Sequence, residues 1–157
     1  MSVDTPVTRI DHVEVFVPNV EEAATWYETT LGLRPAREFL EWGVGNGPVM
    51  IAADGNNSMI ALWEGEPQGD HDSRGLHRLA FGTDAPDFLN FIDRIGSDIE
   101  VFDSQGCRLS RLEPVDHGLM YSLYFCDPYG NRLELTTADY DAVREGLPDS
   151  RIAEDSA

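Results

Sequence analysis

A carboxylate set between two leucines is the side chain of this sequence that most needs a partner. Glu134 follows Leu133 and precedes Leu135 in an alternating run that reads as an interior strand. An unpaired carboxylate buried there is costly, so a metal ion or an arginine such as Arg78 must meet it. The chain has four histidines, His12, His71, His77 and His117. His71 lies in Gly-Asp-His-Asp, a polar stretch that reads as solvated. Cys107 and Cys126 are too few for a disulfide framework or a zinc finger, and Cys126 reads as an inert packed thiol.

The elements that position these residues come in two copies. In the first half, residues 10–17 alternate as a strand with one face on a core. Asn19 caps a helix, Glu22 stands at the capping-box position, and Gly32 occupies the C′ site. Strands are expected around residues 37–44, 49–53 and 59–63, with Asp54-Gly55-Asn56-Asn57 as a turn. The second half repeats the order. A strand covers 76–83, Asp84 caps a helix with Pro86 in its first turn, and Gly96 ends it. Strands follow near 109–113, 119–125 and 132–136, the last two joined by a turn at Asp127-Pro128-Tyr129-Gly130-Asn131. The two helix caps stand 65 residues apart, which supports duplication. A short helix near 139–145 and a polar tail close the chain.

The expected fold is α+β: two tandem βαβββ modules forming a curved mixed eight-stranded sheet with a cleft. It is expected as one domain, with modules over residues 8–63 and 76–137, an acidic linker over 64–75, and a helix and tail over 138–157. Strand parity then decides which residues face the cleft. Val13, Val15 and Val17 belong to the helix side, so His12, Glu14 and Phe16 face the cleft. Ala61, Trp63, Ser122, Tyr124, Cys126, Glu134 and Thr136 do so on the same argument. For residues 76–83 two registers stay open. Packing Leu79 and Phe81 on the helix turns Arg78 to the cleft, whereas a local bulge would turn His77 there instead.

The pattern Ile10-Asp11-His12-Val13, the helix end Trp26-Tyr27 with Leu31-Gly32-Leu33, and the stretch from Ser122 through Asp127-Pro128-Tyr129-Gly130-Asn131 to Glu134-Leu135 resemble the vicinal oxygen chelate superfamily. That superfamily includes glyoxalase I, methylmalonyl-CoA epimerase, fosfomycin- and bleomycin-resistance proteins and type I extradiol dioxygenases. The resemblance implies a divalent metal at His12, His77 and Glu134, with Fe(II) first and Mn, Zn or Ni as alternatives. Ala61 stands where glyoxalase I and the epimerase carry a further ligand. Asp116-His117-Gly118 followed by Tyr124 is similar to single-domain catechol 2,3-dioxygenase-like members. It implies catalytic roles for His117 and Tyr124 as hydrogen-bonding partners of substrate, although Ser58 stands near the position of those enzymes' histidine base. Three functions follow from the resemblance. An extradiol ring-cleaving dioxygenase leads, followed by a glyoxalase I-like lyase or isomerase. The third is a metal-free binding protein of the bleomycin-resistance kind, with Phe16, Trp63 and Tyr124 around its ligand. A small-molecule substrate and a homodimer are implied with them.

Composition narrows the surroundings. The chain of 157 residues carries 29 acidic and 11 basic side chains, a formal charge of −18, and every basic residue is arginine. Such a surface repels phosphates and anionic membranes, so nucleic acid and membrane are not expected partners. No apolar run approaches the length of a membrane span and no secretory signal is legible, so a cytoplasmic protein is expected. Dense carboxylates with Arg and no Lys fit molar salt, where the Debye length falls to about 3 Å, and a halophilic source is expected.

Overall fold

The computed structural model describes residues 12–40, 47–53, 58–66 and 78–147. The chain divides into two compact units, Met1–Gly69 and Asp70–Ala157. Each is a mixed sheet of the βαβββ type with helix packed on it, so the expected α+β class holds, with two sheets and three α-helices among the described residues.

In the first unit, β1 (His12–Val17) runs parallel to β4 (Met59–Glu64), which pairs antiparallel with β3 (Val49–Ala52). The edge strand β2 (Arg34–Pro35) completes the order β1-β4-β3-β2. Helix α1 (Val20–Leu31) begins where expected, since Asn19 accepts from the amides of Glu21 and Glu22 at 3.0 Å each. It ends at Gly32, whose φ of +72° is the left-handed conformation that a C-terminal glycine adopts without Cβ strain. Val15, Val17, Ile60 and Leu62 are buried beside the helix residues Ala23 and Tyr27.

The expected strand over residues 37–44 is not observed among the described residues. Arg37–Phe39 forms a 3₁₀ turn, and residues 41–46 lie outside the described residues. The edge strand β2 ends at Pro35, a residue whose missing amide suits an edge position. After it, the Ala36 amide bonds to the Met50 carbonyl at 2.8 Å and Phe39 N donates back to Ala36.

In the second unit, β5 (Leu79–Gly82) lies parallel to β10 (Arg132–Thr137), and β10 pairs antiparallel with β9 (Tyr121–Cys126). Three short strands replace the single one expected near 109–113: β6 (Val101–Phe102), β7 (Arg108–Leu109) and β8 (Val115–Asp116). Beyond β10, β9 pairs with β6 through Phe102–Cys126 and with β8 through Val115–Ser122 and Asp116–Tyr121. Pairs this short carry little hydrophobic periodicity, which is why alternation could not separate them. Helix α2 (Ala85–Arg94) is capped by Asp84, which accepts from Asp87 N at 3.0 Å. Helix α3 (Tyr140–Gly146) packs on α2. Phe88, Phe91, Ile92, Leu123, Phe125, Leu133, Leu135 and Val143 are buried and form the core of this unit. No helix among the described residues is long and apolar enough to cross a membrane.

Candidate functional site

Register places the candidate residues unit by unit. In the first unit, His12, Glu14 and Phe16 stand opposite Met59, Ala61 and Trp63 on the face away from Val15 and Val17. Most of that face is apolar. Ala36, Met50, Ala52, Met59 and Ala61 are buried together, with Phe39 and Trp63 packed against them. His12 and Glu14 form its polar edge, with His12 Nε2 3.9 Å from Glu14 Oε1 and side chains 38% and 57% exposed. Ala61 is fully buried and offers no donor. Trp63 Nε1 is buried and has no hydrogen-bond partner among the described residues.

In the second unit the polar residues converge on one face. The β9–β10 ladder sets Tyr124 opposite Glu134 and Ser122 opposite Thr136, while Leu123, Phe125, Leu133 and Leu135 turn to the core. Glu134 also pairs with Ala80 of β5, and Leu79 and Phe81 pair with Leu133 and Leu135. Residues two apart share a face, so Arg78 belongs with Ala80 on the side of Glu134. Of the two registers left open for this strand, the one that seats Leu79 and Phe81 on the core is adopted over 79–82. His77 and His71 lie outside the described residues.

Arg78 links this face together. Its Nη1 lies 3.9 Å from Glu134 Oε2, with side chains 28% and 16% exposed, and its guanidinium carbon sits 4.2 Å from the centre of the Tyr124 ring. At 3.9 Å the first contact is an ion pair rather than a hydrogen bond, and the second is cation–π. The other oxygen of Glu134 accepts from Ser122 Oγ at 2.8 Å. Ser122 Oγ also lies 3.1 Å from Thr136 Oγ1, which donates to the Tyr121 carbonyl. The carboxylate that the sequence marked as needing a partner therefore has two, a guanidinium and a hydroxyl.

His117 and Tyr124 come together as well. His117 Nε2 and Tyr124 Oη are 2.9 Å apart, and either can donate according to the imidazole tautomer. Tyr124 is thus held from two sides, through its hydroxyl by His117 and through its ring by Arg78. Cys126 is buried, and burial, with the neighbouring Asp127 carboxylate, pushes its thiol above the usual range. Such a thiol is a poor nucleophile, consistent with packing rather than chemistry.

Whether this face suits a divalent ion is decided by what surrounds Glu134. Its polar neighbours are Arg78, Ser122 and the His117–Tyr124 pair, and a guanidinium repels the charge a dication would bring. Among the described residues, no three His, Cys, Asp or Glu side chains gather as a metal site. Among the described residues this face offers a dication Glu134 beside a guanidinium, and His77, the other ligand expected on it, lies outside them.

Residues that sequence reasoning did not single out also matter here. Asp116, Tyr121 and Tyr140 form a second polar cluster behind the site, on the helix-covered side of the sheet. Asp116 Oδ2 accepts from Tyr121 Oη at 3.0 Å and Tyr140 Oη at 2.9 Å. Two tyrosines on separate elements leave no local spacing signal: the β8–β9 pairing brings Tyr121 to the carboxylate and helix α3 brings Tyr140.

Comparison with known proteins agrees with the fold. Residues 9–135 match the family model of the glyoxalase/bleomycin resistance protein/dioxygenase superfamily, and the chain belongs to that superfamily. No curated protein sequence matches it significantly. Among solved structures it is similar to an integron cassette protein from the mobile metagenome of the Halifax Harbour sewage outfall. That likeness has 19% identity and a TM-score of 0.59, covering 83% of this chain and 99% of the other. A glyoxalase family protein from Bacillus anthracis is 25% identical, with a TM-score of 0.58 over 87% of this chain and 99% of its own. The fosfomycin resistance protein FosX from Listeria monocytogenes is 14% identical, with a TM-score of 0.60, over 87% of this chain and 96% of its own. That structure of FosX was solved as a complex with Mn(II) and 1S,2S-dihydroxypropylphosphonic acid. The likenesses under 25% identity speak to fold alone.

Proposed function

We propose that this chain is a small-molecule-binding member of the superfamily in which Arg78 supplies the positive charge that a divalent ion supplies elsewhere. The reading rests on one observation, the Arg78 guanidinium lying beside Glu134 and over Tyr124. A planar guanidinium with donors in a fixed fork matches two adjacent oxygens on a ligand. Tyr124 and His117 would meet one of those oxygens through the hydroxyl and imidazole, which stand 2.9 Å apart. The ligand class is therefore compact and oxygen-bearing: a catechol, a vicinal diol or an α-hydroxy acid. A dication on Glu134 would stand a few ångströms from Arg78. At about 5 Å and an effective dielectric of about 20, that repulsion is on the order of 6 kcal/mol.

A second reading follows the resemblance to extradiol enzymes, and the 2.9 Å contact between His117 and Tyr124 favours it. In it His12, His77 and Glu134 hold Fe(II), or Mn, Zn or Ni, and Tyr124 and His117 hydrogen-bond the substrate. The glyoxalase-like variant uses the same ligands, and either form would require Arg78 to swing away from Glu134. One experiment separates the readings. The protein is incubated anaerobically with Fe(II), Mn(II), Zn(II) or Ni(II), desalted and assayed for metal, and catechol binding is titrated calorimetrically without metal. The proposal expects less than stoichiometric metal and metal-independent catechol binding that Arg78→Leu weakens about tenfold. One equivalent of metal, lost in His12→Ala and Glu134→Gln, would overturn it and establish the second reading. Ring-cleavage absorbance under O₂ and hemithioacetal isomerisation would then tell the two metal chemistries apart. A homodimer, also implied by the family, is read from sedimentation of the same samples.

A further inference from the structure

The turn that carries His117 is fastened from the opposite face of the sheet. Tyr121 of β9 pairs across the ladder with Asp116 of β8 on one side and with Thr137 of β10 on the other. Tyr121, Leu123 and Phe125 share the core-facing parity, so Asp116 turns to the core side of the sheet and not toward Tyr124. There its Oδ2 accepts from both Tyr121 Oη, at 3.0 Å, and Tyr140 Oη, at 2.9 Å. The two tyrosine rings stack at 4.9 Å between centres, inclined by 14°. Tyr140 opens helix α3, so the last helix of the second unit grips β8 by its end.

The other oxygen of Asp116 holds the turn. Oδ1 accepts from the Gly118 amide at 2.7 Å, and His117 N donates to the Met120 carbonyl at 3.0 Å, closing the β8–β9 connection in two residues. Gly118 has φ +78°, the positive value such tight hairpins need at their first central position. The turn is thus fixed at both ends, and His117, flanked by Asp116 and Gly118, emerges on the face of Tyr124 with Nε2 2.9 Å from its hydroxyl. Burial would push the Asp116 carboxyl up. The Gly118 amide, the Tyr140 and Tyr121 hydroxyls and the Arg144 charge outweigh it and hold that carboxyl below the ordinary range. The donors therefore prefer the anion, which keeps both oxygens available as acceptors.

We infer that Asp116 is a positioning residue for the site: gripped by Tyr121 and Tyr140, it sets the β8–β9 turn so that His117 meets Tyr124, and helix α3 thereby governs the geometry of a face it does not touch through its own side chains. Asp116 reaches a ligand only through His117. The inference rests on the reading that His117 and Tyr124 contact the ligand only where ligand affinity is concerned. The geometric relation stands apart from it.

The test uses the full chain with ¹⁵N-labelled histidine, and the His117 ring signals are assigned by their loss in His117→Gln. Asp116→Asn preserves shape and the acceptor for Gly118 but presents an amide to two hydroxyls that need an acceptor. Tyr140→Phe removes a single donor and leaves the ring stack. Both variants should stay folded and shift the His117 ring nitrogens, Asp116→Asn more than Tyr140→Phe, while the His12 signals stay in place. Catechol affinity should fall about fivefold in Tyr140→Phe. The fall should vanish when Tyr140→Phe is made in the His117→Gln background. A purely structural role predicts a lower melting temperature with His117 signals identical to those of the parent, and that result overturns the inference. Should Asp116→Asn fail to fold, Tyr140→Phe decides alone. Should catechol not bind the parent protein, the ligand reading fails while the ring nitrogens still decide the positioning role.

Discussion

Replacing Arg78 with leucine removes a cation from a partly buried carboxylate and from an aromatic face in one step. At 3.9 Å and an effective dielectric of about 20, the Coulomb energy between Arg78 and Glu134 is ~4 kcal/mol before desolvation. The distance exceeds a hydrogen bond, and both groups surrendered hydration to reach side-chain exposures of 28% and 16%, so most of that attraction is offset. A net coupling of ~1–2 kcal/mol is what survives, above the ~0–1 typical of surface pairs. The cation–π contact with Tyr124 adds ~0.5–1 kcal/mol. Arg78→Leu should therefore cost ~2 kcal/mol of stability. Glu134→Gln keeps an acceptor for Ser122 and should cost less, and the double variant should be less damaged than the sum of the two. Urea unfolding of the four proteins, read by linear extrapolation, gives the coupling energy directly. Because both groups are shielded from solvent, the coupling should persist at high salt. A coupling below about 0.3 kcal/mol, the limit within which independent sites add, refutes the claim that Arg78 is the partner Glu134 requires.

Three further outcomes are expected. The folded-state pKa of Asp116 lies below its unfolded value of 3.8, so the unfolded chain takes up the proton first as pH falls. The stabilisation is complete above that value and drains away as pH drops toward the folded pKa; Asp116→Asn should flatten this part of the acid-denaturation curve, and an unchanged slope counts against the cluster as drawn. Gly96 has φ +81°, and a Cβ there would stand 2.7 Å from the Ser110 carbonyl oxygen, so Gly96→Ala should lose ~1–3 kcal/mol in urea, against no loss if the loop can retreat. The formal charge of −18 without lysine predicts a melting temperature that rises between about 0.1 M and about 3 M KCl; a flat or falling trend removes the halophilic reading.

The sequence by itself determined the features that depend on near neighbours. Asn19, Gly32 and Asp84 mark helix ends because capping involves atoms two to four residues away, and each cap forms where the sequence places it. Parity in the strands was legible for the same reason: Val15 and Val17, Leu123 and Phe125, and Leu133 and Leu135 are buried, and the residues between them turn away. The need of Glu134 for a partner could be read from two flanking leucines. The identity of that partner could not, because Arg78 reaches Glu134 only through the parallel β5–β10 register, across 56 residues of chain. The short strands β6 to β8 escaped notice because two residues make no period, and Arg37–Phe39 turns as a 3₁₀ segment where a β-rich run suggested a strand. Asp116 shows the division most sharply. Locally it precedes a glycine turn and nothing more, and it becomes the anchor of His117 once β9 and α3 bring two tyrosine hydroxyls to its carboxylate. Local sequence sets which face a side chain takes, while tertiary pairing of distant strands and helices sets which charge or hydroxyl it meets there.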